Sequence, residues 1–175
     1  MCCGTGRENT IDCPHDCEYL QEARQHERPA AVGAGEIPHQ DVRITDQFLE
    51  EHETDLVWLA IGLTRAMEAG KAVDPDAREA LDSLIRTYRT LESGLIYETR
   101  PQNPYAAAIQ EALQKSVEEL RKRISEETGM HRLRDADVLG MLVFLQRLEL
   151  QHNNGRRRGR AFFDFLRESF PGRLR

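Results

Sequence analysis

Long apolar runs are missing from this 175-residue chain. No segment approaches the roughly 18 consecutive apolar residues that a membrane-spanning helix needs, and Met1-Cys2-Cys3 opens without the basic and apolar regions of a secretory signal. The expected compartment is therefore the cytoplasm, with no membrane partner. Catalytic signatures are missing too: there is no HExxH, no phosphate loop and no serine–histidine–acid order. A Glu-x-x-His pair occurs once in the helical region, at Glu149 and His152. A ferritin-like di-iron site needs that pair twice, so chance is the better explanation. His52 stands among Glu50, Glu51 and Glu53 and reads as part of a solvated acidic face. No catalytic residue is assigned.

Cysteine disappears after residue 17. All four lie in the string CCGTGRENTIDCPHDC, as Cys2, Cys3, Cys13 and Cys17. In a reducing compartment such a cluster is expected to hold metal rather than form disulfides. Gly4, Gly6 and Asn9 tolerate the turns that wrap sulfurs and amides around an ion. Pro14 and Asp16 then form a helix start ahead of EYLQEARQHER, residues 18–28. Cys17 falls in the first turn of that helix, where unpaired amides favour a thiolate, the form that binds metal or attacks an electrophile. Zn²⁺ takes four tetrahedral ligands. The spacing makes Cys3, Cys13 and Cys17 the firmer three, with Cys2, His15 and His26 competing for the fourth place. Cysteine-only ligation equally suits an iron–sulfur cluster. Three residues separate Cys13 from Cys17, so this is not the C-x-x-C redox motif. Residues 2–28 resemble zinc knuckles and treble-clef sites, in which a turn presents the first sulfurs and a helix start the last. That resemblance implies a structural zinc.

Residues 29–43 read as a linker or strap, rich in Gly, Ala and Pro between Pro29 and Pro38. Residues 44–155 then show helical period. A first long helix, capped by Thr45 or Asp46, is predicted to run to about Ala69 and stop at Gly70. Its run Val57–Leu63 is apolar almost all round, which predicts the deepest burial there and a core position for Trp58. Asp74-Pro75 is an N-cap followed by proline, and the stripe Ala77, Leu81, Leu84, Ile85, Tyr88, Leu91 and Leu95 follows it. Asn103-Pro104 repeats the signal for a helix from Tyr105 to about Thr128, and a further helix spans about Asp135 to His152. The expected fold is all-α: an antiparallel four-helix bundle with a short C-terminal helix and a small N-terminal cysteine-rich metal knuckle.

Charge is uneven along the chain. Residues 156–175 hold seven arginines against Asp164 and Glu168, a net of +5, so the overall −6 leaves −11 on the preceding 155 residues. Arg156, Arg157, Arg158 and Arg160 follow the turn at Gly155, and forked guanidinium groups suit phosphate oxygens. The competing expectation is that these cations pair with the chain's own acidic surface. AFFDFLRESF, residues 161–170, reads as a phenylalanine-rich helix that docks on the bundle. The expected function is a non-enzymatic binding or regulatory module with a structural zinc site, its partner a protein or a second copy of the chain. Two alternatives use the same residues: a metal- or thiol-dependent enzyme built on Cys17, and a nucleic-acid-binding protein built on the arginine run.

Overall fold

A computed structural model describes residues 4–11, 13–14, 17–27, 37–128 and 133–170, with Thr5 and Gln25 described in backbone only. Helices carry the described chain. They are α1 (Glu18–Gln25), α2 (Asp46–Glu51), α3 (Glu53–Gly70), α4 (Asp74–Glu92), α5 (Pro104–Thr128), α6 (Asp135–His152) and α7 (Ala161–Ser169). Among the described residues there is no strand, only an isolated bridge between Arg7 and Ile11. None of these helices is long and apolar enough to cross a membrane.

The three- and four-residue spacing in α4 places Ala77, Leu81, Leu84 and Ile85 on one fully buried face. That face makes α4 the centre of the packing: it lies against both α5 and α6, while α3 packs on α5 and α7 rests on α3, α6 and α4. Leu63, Met67, Leu113, Leu120, Leu142, Phe162 and Phe163 complete one continuous core. Each such side chain contributes about 1.5–3 kcal/mol by leaving water, and chain entropy offsets most of the sum. The four phenylalanines of the C-terminal segment divide: Phe162 and Phe163 are buried, while Phe165 and Phe170 pack from the rim.

Several predicted boundaries move, each for a local reason. The helix expected from residue 45 to 69 is broken at His52, which ends α2 and begins α3. Thr45 is the cap, its hydroxyl accepting the Phe48 N–H at 3.1 Å. The break lets α2 lay Phe48 against α6 at Gly140, where a Cβ would sit 2.7 Å from the ring. The run 57–63 is buried on one face only, through Leu59, Ala60 and Leu63. Trp58 is half-buried instead, pinned between α3 and α5 by its indole N–H to the Ser116 carbonyl at 3.1 Å and by Arg123 4.7 Å above its ring. α3 includes Gly70 and stops at Lys71, which takes the left-handed conformation.

Asp74 is not an N-cap. Val73 holds that position in α4, and the Asp76 carboxylate accepts its N–H at 2.9 Å. α4 ends at Glu92, because Gly94 turns the chain at φ 76°. Leu95, predicted on the apolar stripe, is 63% exposed.

Candidate functional site

The turn between α6 and α7 gathers most of the charge that the sequence singled out. Asn153 shapes it: its amide donates to the Glu149 and Leu150 carbonyls, both at 3.0 Å, and its Oδ1 accepts the Gly155 N–H at 2.9 Å. Gly155 has φ 68°, which glycine adopts without strain. Into this turn the N-terminal segment inserts Glu8, 1% exposed. Its carboxylate accepts from Arg24 at 2.5 Å, Asn154 at 2.9 Å and the Arg160 backbone N–H at 3.2 Å, and faces Arg156 at 3.5 Å. Its carbonyl accepts the Arg158 N–H at 2.7 Å. Arg156 also pairs with Glu27 at 2.6 Å, which in turn binds Arg7 at 2.6 Å, and Arg24 pairs with Asp164. A buried carboxylate is retained only when its charge and lone pairs are met in this way.

Arg160 is the second fastener. Its guanidinium donates to the carbonyls of Cys13 and Lys71, both at 3.1 Å, and so joins the N-terminal segment to the end of α3. α7 begins immediately afterwards, and the Asp74 carboxylate accepts its first amides, from Phe162 at 3.0 Å and Phe163 at 3.1 Å. Asp74 thus caps α7 rather than its own helix. Burial raises its pKa from 3.8 to about 7, with Glu149 adding to the rise; the two N–H donors and Arg24 oppose it. Glu149 is itself raised by burial, against a two-pronged grip from Arg78 at 2.8 and 2.9 Å. His152 stacks on Phe165 with ring centroids 3.6 Å apart, and burial lowers its pKa. Glu149 and His152 therefore have separate partners, an arginine and a phenyl ring.

Of the predicted metal ligands, Cys2, Cys3 and His15 lie outside the described residues. Cys13 is buried and Cys17 half-buried as the N-cap of α1, and among the described residues neither forms a disulfide. His26 caps the other end of α1 and is exposed. Nine residues of helical rise separate it from Cys17 by about 13 Å along the axis, too far for both to reach one ion at zinc bond lengths of about 2.0–2.3 Å. Among the described residues no three His, Cys, Asp or Glu side chains converge to hold a metal.

The arginine run splits in two. Arg156 and Arg160 are turned inward, onto Glu8, Glu27 and the backbone carbonyls. Arg157 and Arg158 are exposed. They line an open depression of about 660 Å³ together with Lys71, Asn9, Thr10 and Tyr105. Of the run, Arg156 pairs with the chain's own acids, and these are two glutamates of the N-terminal segment rather than carboxylates of the bundle.

A second surface feature is the loop joining α4 to α5. Leu95, Ile96 and Tyr97 are 63%, 96% and 67% exposed in succession. The loop's backbone is nevertheless anchored. The Leu95 N–H meets the Thr90 carbonyl at 2.9 Å, the Thr90 hydroxyl donates to the Tyr97 carbonyl at 3.0 Å, and the Thr99 N–H meets the Thr87 hydroxyl at 3.0 Å. Sequence reading missed this tip, although Ser93-Gly94 is the stop signal that releases Leu95 from the helical stripe. It missed Glu8 as well, and a lone glutamate between a glycine turn and an asparagine carries no signal. Comparison of the chain with protein-family models, with curated proteins and with solved structures finds no match.

Proposed function

We propose that this chain is a non-enzymatic binding module whose partner is another protein. The four long helices, α3 to α6, serve as an antiparallel four-helix bundle that holds the α4–α5 loop in a fixed shape. The observation that carries the reading is the tip Leu95-Ile96-Tyr97, three large apolar side chains exposed on an anchored backbone. Because the loop's carbonyls and amides bond inward at residues 95, 97 and 99, the tip offers side chains rather than a strand edge. The fitting partner surface is an apolar cleft. Burying Leu and Ile side chains there contributes about 1.5–3 kcal/mol each, enough for them to act as the anchors of an interface. Ile96→Asp is expected to abolish capture of a partner that the wild-type chain retains, and to weaken the reconstituted complex at least about tenfold, with an unchanged melting temperature. Equal binding by the variant removes the tip from the interface. A concentration-dependent dimer lost with Ile96→Asp would instead identify a second copy as the occupant.

The same reading keeps zinc as a fastening for the N-terminal segment, working beside the Glu8 web. Its support is the confinement of Cys2, Cys3, Cys13 and Cys17 to one stretch, with Cys13 buried and Cys17 at a helix start. Metal analysis of purified protein is expected to find about one zinc per chain, and Cys13→Ser and Cys17→Ser are each expected to lose it. A metal-free chain with the native spectrum discards the zinc.

A further inference from the structure

The depression beside the α6–α7 turn is built from three separate parts of the chain. Asn9 and Thr10 come from the N-terminal segment, Lys71 from the end of α3, and Arg157, Arg158 and Arg160 from the turn itself. Among the described residues that line it, four cations therefore meet one carboxylate, Asp76. That carboxylate is already committed, accepting the Val73 N–H at 2.9 Å and the Asn103 amide at 2.5 Å. Among the described lining residues the cations thus outnumber the carboxylates four to one. The backbone that carries these cations is held in place: the Glu8 web fixes the turn, Arg160 donates to the Lys71 carbonyl, and the Arg157 N–H bonds the Asn9 side chain at 3.3 Å. Tyr105 stands at the rim, 55% exposed, with its N–H on the Asn103 side chain at 2.9 Å.

We propose that this depression binds a small phosphate ester carrying a planar base, with its phosphates on Arg157, Arg158 and Lys71 and its base against the Tyr105 ring. Arginine forks match phosphate oxygens in pairs, and lysine adds a point charge. An exposed aromatic ring offers a stacking face to any base. The space of about 660 Å³ admits a nucleotide rather than a bare anion alone. Arg156 does not take part, because its guanidinium is spent on Glu8 and Glu27. The site stands apart from the loop tip, sharing no residue with it.

Calorimetric titration of the full chain with ADP, pyrophosphate, adenosine and a random 20-nucleotide DNA strand tests the site. ADP is expected to bind, more weakly as salt rises, and the double variant Arg157→Ala/Arg158→Ala to weaken it at least about tenfold. Tyr105→Ala is expected to weaken ADP by about threefold or more while leaving pyrophosphate unaffected. All three side chains are exposed, so circular dichroism and melting of these variants are expected to match wild type. The proposal is overturned if neither ADP nor pyrophosphate binds at ~1 mM, a limit that marks a negligible affinity, or if the double variant binds as wild type does. Tyr105→Ala weakening pyrophosphate as much as ADP would remove the base from the site. A DNA strand binding more than about tenfold tighter than ADP would replace the small ester by a nucleic acid.

Discussion

Replacing Glu8 with alanine is expected to release the N-terminal segment from the helical core. The carboxylate is almost wholly buried and neutralises Arg24, whose side chain is 13% exposed, while also receiving Asn154 and the Arg160 N–H. Removing one partner from a buried charge pair costs about 3–5 kcal/mol, because the other charge stays out of water unmatched. Here the loss is moderated, since Arg24 keeps Asp164 and Arg156 keeps Glu27. It is also local. The core of α3 to α7 makes no use of Glu8, so the segment has the option of undocking while the rest stays folded. Amide exchange is expected to accelerate through residues 4–11 and 17–27, where Leu20 is now 1% exposed, with a much smaller change in α4 and α6. Glu8→Gln keeps an acceptor for Asn154 and the Arg160 N–H but no charge, and should fall between wild type and alanine. Unchanged exchange in α1 of Glu8→Ala would show that the web does not hold the segment.

Helical period made α5 and α6 legible to within a residue or two and α4 except for its end, which the stripe carried on to Leu95, because each has an apolar stripe that only a helix brings to one side. The break at His52 was not legible. It depends on a phenyl ring finding Gly140 nearly a hundred residues away. The signal Asp74-Pro75 marked a true helix start but assigned Asp74 the wrong partner, since its acceptors serve amides that lie 88 and 89 residues downstream. The arginine run shows the same limit. Charge counting saw seven cations near the C-terminus and an acidic remainder, whereas packing sorts individual neighbours: Arg156 and Arg160 inward, Arg157 and Arg158 outward. Local pattern reports the faces of helices. Which face meets which loop is decided by contacts across more than a hundred residues, and the candidate site is made of those.

Asp74 supplies the second large effect, and it depends on pH. Two buried amides at the start of α7 have this carboxylate as acceptor. Asp74→Ala leaves both without it, at about 1–3 kcal/mol for each unsatisfied group, partly offset by the desolvation of the carboxylate that is no longer required. Asp74→Asn isolates the charge. The folded-state pKa of about 7 stands above the ordinary aspartate value of 3.8, so the native state holds the proton more tightly than the unfolded chain. The stabilisation from that proton is complete below about pH 4 and is lost as the pH rises through 7. Its ceiling is on the order of 4 kcal/mol, from 1.36 kcal/mol per unit. Glu149 is raised in the same direction, against the grip of Arg78, and its charge faces Asp74, so the pH-dependent difference between the two proteins belongs to the Asp74–Glu149 pair. Asparagine has no proton to lose, so the stability of wild type relative to Asp74→Asn should climb as pH falls from 7 to 4 and level off above about pH 8. Denaturant melts at pH 4.5, 6 and 8 measure that difference; a difference constant across the three would place the Asp74 proton outside the folding equilibrium and leave its two hydrogen bonds as its whole contribution.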